Sequence, residues 1–167
     1  MELQDIYDKD GNKTGKIIER GKEARQHGEY ILIVDVWIMN SKSEFLISKR
    51  ASSIWRAGKW QATTGCAISG DDSLSAALRE TKEELGIVLN PANGKMIERA
   101  TRNEDEVIID AWLFCQDIDI NDVVLQPDET DDATWAMKDD ILRLVDEDKF
   151  LGDDRQGYEE FFQLCGA

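Results

Sequence analysis

Histidine and cysteine are scarce in this sequence of 167 residues. The single histidine, His27, excludes a metal site built from several histidines and any mechanism with more than one histidine-dependent step. The 3 cysteines, Cys66, Cys115 and Cys165, are odd in number, lie far apart and show no Cys-x-x-Cys spacing. We therefore expect them to be reduced thiols.

Long apolar runs are also absent. The longest, from Tyr30 to Met39, is interrupted by Asp35 and is too short to span a bilayer. The first residues, Met1 to Asp5, are too acidic and polar for a signal peptide. We therefore expect a cytoplasmic protein that has no membrane partner.

Positive charge is in short supply, since 20 Lys and Arg face 35 Asp and Glu and give a formal net charge of −15. This balance argues against binding to a nucleic-acid polymer or an anionic membrane, because both are polyanions. A small phosphorylated metabolite stays compatible with it, because a metal ion and a few local cations can offset the global field. We expect a small-molecule partner.

The length suits one domain over residues 1–167, with 41% hydrophobic and 33% charged residues. Turn-rich residues between two short apolar segments predict an N-terminal hairpin at about residues 3–18. Residues 30–39 and 106–116 are apolar on both alternating faces, which favours central strands that are covered on each side. Further strands are predicted at 44–49, 95–103 and 133–137, and helices at 139–145 and at about 157–165. This pattern predicts an α/β/α sandwich, a central mixed β-sheet between helices.

One further helix is well marked by its ends and its packing face. Asp72 or Ser73 can cap its start, and Gly86 can end it in the left-handed conformation. Residues at spacings of three and four form a stripe that can pack on a sheet, namely Leu74, Ala77, Leu78, Thr81 and Leu85.

Three glutamates lie largely off that stripe. Glu80, Glu83 and Glu84 are spaced i, i+3 and i+4, so their carboxylates share one face of the helix. Like charges so close repel one another unless a cation lies among them, and hard divalent cations such as Mg²⁺ seek oxygen-rich clusters. The spacing therefore predicts a metal site, next to an i, i+4 pair of Arg79 and Glu83.

The glutamates belong to a longer pattern at residues 65–87 that resembles the Nudix box, Gly-x5-Glu-x7-Arg-Glu-U-x-Glu-Glu-x-Gly-U, where U is aliphatic. The matching positions are Gly65, Arg79, Glu80, Glu83, Glu84, Gly86 and Ile87. Two positions depart from the pattern. Asp71 replaces the first Glu and is one methylene shorter, which weakens the case for a direct metal contact, and Thr81 replaces an aliphatic residue.

The resemblance implies a Nudix hydrolase that cleaves a diphosphate linkage in a nucleoside diphosphate joined to a group X. It implies Mg²⁺ or Mn²⁺ held by Glu80, Glu83, Glu84 and the Gly65 carbonyl. Glu80 or Glu84 would accept the proton of the attacking water, and Arg79 would orient a metal-binding glutamate. Some family members recruit a glutamate from a later loop, for which this chain offers the candidates Glu104, Glu106 and Glu129.

Beyond the box, the chain is similar to the Nudix subgroup related to isopentenyl-diphosphate isomerase. The similar segments are residues 30–40, 49–50, 58–60, 104–107 and 125–135. That isomerase also needs several histidines and a Cys-x-His element, but Ala24 and Ile31 stand at two histidine positions and Cys66 has no histidine two residues later. We therefore expect a hydrolase. The alternatives are a catalytically weak metabolite sensor and the isomerase itself.

Charged and aromatic residues near the box are candidates for substrate contact. For binding the substrate we consider Arg50, Lys59, Glu104 and Glu106, with Arg56 as a further cation. Trp37, Trp55 and Trp112 suit core packing or loop anchoring better than stacking on a base.

Two carboxylates, Asp35 and Asp110, lie inside apolar strands and need partners there. They either line the pocket or are capped by backbone donors near a bend. The N-terminal hairpin and the C-terminal helix are the segments that a homodimer would use.

Overall fold

The computed structural model of the protein describes residues 1–167. Its strands are β1 (Leu3–Tyr7), β2 (Lys13–Glu19), β3 (Ile31–Met39), β4 (Phe45–Arg50), β5 (Trp60–Gln61), β6 (Thr63–Cys66), β7 (Gly94–Arg102), β8 (Val107–Cys115) and β9 (Thr130–Ala136). Its helices are α1 (Ser73–Leu85), α2 (Lys138–Asp146) and α3 (Arg155–Leu164), with single 3₁₀ turns at Pro91–Asn93 and Ile120–Asp122.

Strand β3 lies at the centre of a mixed sheet. It pairs in parallel with β8 along its whole length, from Ile31 opposite Val107 to Met39 opposite Cys115. On its other side it pairs antiparallel with β6 and, at its end, with β4. Strands β5 and β9 extend the sheet from β4, and β7 closes the opposite edge beside β8. The β1–β2 hairpin is a separate two-stranded sheet.

Helices cover both faces of this sheet, which confirms the α/β/α sandwich. Alternate side chains of β3 point to opposite faces, as the period of two in a strand requires. One face, with Leu32, Val34, Val36 and Ile38, packs with Ala76, Ala77 and Leu85 of α1. The other face carries Trp37 into a buried aromatic cluster with Phe45 of β4, Phe150 of the α2–α3 connection, and Tyr158, Phe161 and Phe162 of α3.

Helix α1 begins and ends where its sequence signals place it. The Asp72 carboxylate accepts a hydrogen bond from the Ser75 N–H, and Gly86 adopts φ 68° at the C-terminal end. Thr81, at the aliphatic position of the box, is fully buried, and its hydroxyl donates to the Ala77 carbonyl at 2.9 Å. Its polar atom is therefore satisfied inside the helix.

The segment before α1 differs from the sequence prediction. The sequence pattern predicts no strand between residues 49 and 72, but β5 and β6 form there, and Gly65 lies in strand β6. The reason is the antiparallel pairing of residues 63–66 with residues 33–36, which fills the edge of β3 that β4 leaves free. No helix of the structure has the length and apolar character needed to cross a membrane.

Candidate active site

A cleft of about 480 Å³ opens where α1, β6 and the loop before β9 meet. Five glutamates and two arginines contribute to its lining, which makes it strongly acidic. The lining residues discussed below are Glu2, Arg20, Arg50, Gln61, Gly65, Glu80, Glu83, Glu84, Gln126 and Glu129. The three box glutamates and Gly65, separated by 15 or more positions in sequence, are thus brought to one cavity.

Glu84 is the most deeply placed of these carboxylates. It is 6% exposed, and its Oε2 atom has no hydrogen-bond partner. Burial, with the nearby charges of Glu80 and Glu129, raises the pKa of Glu84 to about 8. Burying an unpaired carboxyl oxygen costs free energy, and a bound cation or a proton at this atom would reduce that cost.

Arg79 organises the neighbouring acids. Its Nη1 donates to Glu80 Oε1 at 2.9 Å and to Glu83 Oε2 at 3.2 Å, while Nη2 donates to the Cys66 carbonyl at 3.0 Å. Burial alone would lower the pKa of Arg79, but its hydrogen bond to Asp71 and the charge of Glu80 raise it. Arg79 therefore stays charged and joins α1 to the end of β6.

Glycine is required at position 65 because Glu80 lies against it. A Cβ atom on Gly65 would come 2.0 Å from Glu80 Cδ and 2.3 Å from Oε2. Burial raises the pKa of Glu80, although the Arg79 charge beside it acts in the opposite direction. The backbone of β6 and the Glu80 carboxyl group therefore share the same wall of the cleft.

Arg50, at the end of β4, provides a cation opposite the glutamates. Its Nε donates to the Trp55 carbonyl at 2.9 Å, and its Nη1 donates to Gln61 Oε1 at 2.7 Å. Burial lowers the pKa of Arg50. The side chain is thus fixed in orientation and lines the cleft.

The loop before β9 is tied to the end of α1. The Gln126 N–H donates to the Glu84 carbonyl at 3.0 Å, and the Val124 N–H donates to the Leu85 carbonyl at 2.9 Å. This places the exposed Glu129 on the cleft. Among the three later-loop glutamates considered from sequence, Glu129 is the one that reaches the box residues.

Glu104, Glu106 and Lys59 do not join them. Glu104 is exposed, while the Glu106 carboxylate accepts from the Gly28 N–H at 2.7 Å and lies 2.7 Å from His27 Nδ1. Lys59 pairs with Asp148 at 2.5 Å. The structure thus places all three away from the cleft lining.

Two charged cleft residues were missed in the sequence. Glu2 and Arg20 flank the strands of the N-terminal hairpin, and Arg20 Nη1 donates to Glu2 Oε2 at 2.9 Å. No local motif marks them, because only the packing of the hairpin beside β6 brings them to the box.

Two further residues named from sequence have structural partners. Asp110 is fully buried and accepts two hydrogen bonds from Arg99, at 2.6 and 2.7 Å, from its register partner on β7. The Trp112 ring N–H donates to Ser73 Oγ at 2.8 Å and thereby fixes the start of α1. Neither residue serves the cleft.

The comparison with known protein families agrees with this geometry. The NUDIX domain profile matches residues 29–161, most of the chain. The chain belongs to the Nudix family. An uncharacterized Nudix hydrolase of Listeria monocytogenes is 30% identical over 154 residues, which cover 90% of this chain and 89% of that protein.

Solved structures share the fold of this chain. A protein from Deinococcus radiodurans superimposes with a TM-score of 0.76 at 17% identity, covering 95% of this chain and 98% of that one. A MutT protein from Methanosarcina mazei gives a TM-score of 0.62 at 26% identity, covering 80% and 94%. This Nudix protein is a pyrophosphohydrolase.

Proposed function

We propose that the protein is a Mg²⁺- or Mn²⁺-dependent hydrolase that cleaves the diphosphate linkage of a nucleoside diphosphate joined to a group X, or of a similar small phosphorylated metabolite. The observation that supports this most directly is the unpartnered Oε2 of buried Glu84 in an acidic cleft. A MutT protein and Nudix hydrolases are among the proteins that this chain resembles.

The residues of the cleft fit a divalent cation. Glu80, Glu83 and Glu84 offer carboxylate oxygens and Gly65 offers a carbonyl, the donors that hard cations prefer. The side chains do not converge on one point in this structure, because Arg79 holds the Glu80 and Glu83 carboxylates. When bound, the metal would neutralise phosphate charge and lower the pKa of an attacking water.

The side chains of the cleft bind the phosphate, orient the metal-binding carboxylate and accept the proton of the attacking water. Arg50 binds a phosphate oxygen while Gln61 and the Trp55 carbonyl hold its guanidinium. Arg79 orients the Glu80 carboxylate. Glu80 or Glu84 accepts the proton from water, and Glu129 is the third candidate because it lines the same cleft.

A substrate screen tests this proposal. The full-length protein is incubated with nucleotide sugars, dinucleoside polyphosphates, oxidised nucleotides and nucleoside diphosphates, with Mg²⁺ and with Mn²⁺, and the products are identified by mass spectrometry. We expect metal-dependent release of phosphorylated products, and strongly reduced release by the Glu84→Gln variant.

Two outcomes would contradict it. Thermal stabilisation by ligands without any hydrolysis would favour the sensor alternative. Conversion of isopentenyl diphosphate to an allylic product would favour the isomerase.

The cytoplasmic location and the homodimer remain predictions from the sequence.

A further inference from the structure

A second cleft, of about 450 Å³, adjoins the acidic one. The two clefts share the lining residues Ile33, Trp55, Thr64 and Leu151. A single ligand can therefore occupy both, with a diphosphate beside the glutamates and another group in the second cleft. The size of this space is typical of small-molecule sites.

Asp35 lies in the wall of the second cleft. It is the register partner of Thr64, whose hydroxyl donates to Asp35 Oδ1 at 2.9 Å. The other carboxyl oxygen has no hydrogen-bond partner in the protein, yet it is not sealed from solvent. Burial raises the pKa of Asp35, although the hydrogen bond from Thr64 and the charge of Arg102 act in the opposite direction.

The rest of the second cleft is largely apolar and aromatic, with Arg56, Arg102 and Asp105 as its other charged lining residues. Ile33, Val107 and Ile109 line it from β3 and β8, while Trp37 lies at its inner end. Trp55 stands at the mouth with 69% of its surface exposed. The Arg56 guanidinium lies 4.6 Å from the centre of the Trp55 ring and covers one of its faces.

We propose that the second cleft binds the nucleobase of the substrate and that Asp35 selects it by accepting a hydrogen bond from an N–H group of the base. This inference rests on the proposed function, since the diphosphate must lie in the first cleft. A planar heterocycle matches the apolar and aromatic walls and satisfies the free oxygen of Asp35. An isoprenyl chain would leave that oxygen unpaired, and a sugar would leave the apolar walls without a matching surface.

The test uses three metal-loaded ligands that the enzyme cannot hydrolyse. They are adenosine α,β-methylene diphosphate, the same compound with purine riboside, which lacks the exocyclic amine and any ring N–H, and base-free methylenediphosphonate. Affinities are measured by calorimetry with the full-length protein and Mg²⁺. We expect the wild-type protein to bind the adenosine compound at least about tenfold more tightly than the purine riboside compound.

Asp35→Asn supplies the matched variant, because it keeps the size of the side chain but turns an NH₂ group toward the base. We expect it to lose the preference for adenosine and to bind methylenediphosphonate like the wild type. Asp131→Asn, an exposed change on β9, is the control and should keep the preference. If Asp35→Asn fails to fold, the affinities of the wild-type protein for the two nucleoside compounds still test the role of Asp35.

Each failure has a distinct meaning. Equal affinity of the wild-type protein for the two nucleoside compounds overturns the role of Asp35. So does an Asp35→Asn variant whose affinities for the two compounds fall by the same factor. Binding of the nucleoside compounds without binding of methylenediphosphonate supports the second cleft and counts against the proposed diphosphate site. Failure of all three ligands to bind overturns both.

Discussion

Asp71 accepts two hydrogen bonds from Arg79, at 3.1 Å from Nε and 2.9 Å from Nη2. Asp71 occupies the position where the Nudix box has its first glutamate, so the shorter side chain serves here as an anchor for the arginine. The same guanidinium reaches Glu80 and Glu83. Asp71, although it departs from the family pattern, therefore helps to position the glutamates of the acidic cleft through Arg79.

We predict that Asp71→Ala lowers turnover by about 10- to 100-fold, the usual cost of removing a residue that orients a metal ligand. The loss should appear mainly in kcat, because Asp71 holds Arg79 rather than the substrate. Asp71→Glu is the matched control, since it restores both the charge and the family residue. Unchanged kcat in Asp71→Ala would show that Arg79 needs no anchor.

We predict that Glu83→Gln and Glu84→Gln each lower turnover by more than about 100-fold, because each removes a charged oxygen from the proposed metal site. The fold should survive, since glutamine has almost the same shape. Glu104→Gln, at an exposed position outside the cleft, is the control. Steady-state kinetics at saturating Mg²⁺, with circular dichroism to verify folding, make the measurement. Turnover like that of the wild type in both cleft variants would defeat the proposed metal site.

The sequence predicted the box helix and its glutamates well because all their signals are local. The Asp72 cap, the Gly86 terminator and the 3.6-residue spacing lie within 15 positions, and α1 forms as they indicate. The side-chain partners of Arg99 and Arg20 depend instead on strand register and on hairpin docking. Those are long-range contacts that no short spacing encodes.

The substrate candidates illustrate the same limit. Arg50 and Lys59 are both cations close to the box in sequence, but β4 directs Arg50 into the cleft whereas Lys59 pairs with Asp148. Glu106 is likewise tied to Gly28 and His27. Closeness to the box in sequence therefore selects a set of candidate residues, but it does not show which of them line the cleft.

We predict a pH-dependent stability that originates in Glu84. Its pKa is about 8 in the folded protein against an ordinary value of 4.5, so the folded state holds a proton that the unfolded state releases. The free energy of unfolding of the metal-free protein should therefore fall as pH rises from about 5 to 8, by up to about 1.4 kcal/mol per pH unit from this group.

Urea unfolding in EDTA measures this effect on the wild type and on Glu84→Gln. The glutamine variant lacks the titrating group, so its advantage over the wild type should grow with pH. Asp5 and Asp72 have pKa values below the ordinary 3.8 of aspartate, so they change stability at pH values more acidic than this window. Asp35, with its raised pKa, contributes equally to both proteins and cancels in the difference. Parallel profiles would mean that Glu84 is not a strained carboxyl group.

The last prediction concerns the contact between Gly65 and Glu80. We expect Gly65→Ala to lower turnover by at least about tenfold, and to destabilise the protein by about 1–3 kcal/mol, because the new methyl group must displace the Glu80 carboxylate from Arg79. Gly65 does not have a left-handed φ, so backbone strain is not the cause.

A double-variant cycle isolates this steric cause. Glu80→Ala removes the side chain that the methyl group would strike, so Gly65→Ala should cost almost nothing in stability when Glu80→Ala is already present. Urea unfolding of the two single variants and the double variant gives the coupling free energy. If Gly65→Ala destabilised both backgrounds equally, the strand itself rather than the carboxylate would demand glycine, and Gly65 would have no steric link to the proposed metal site.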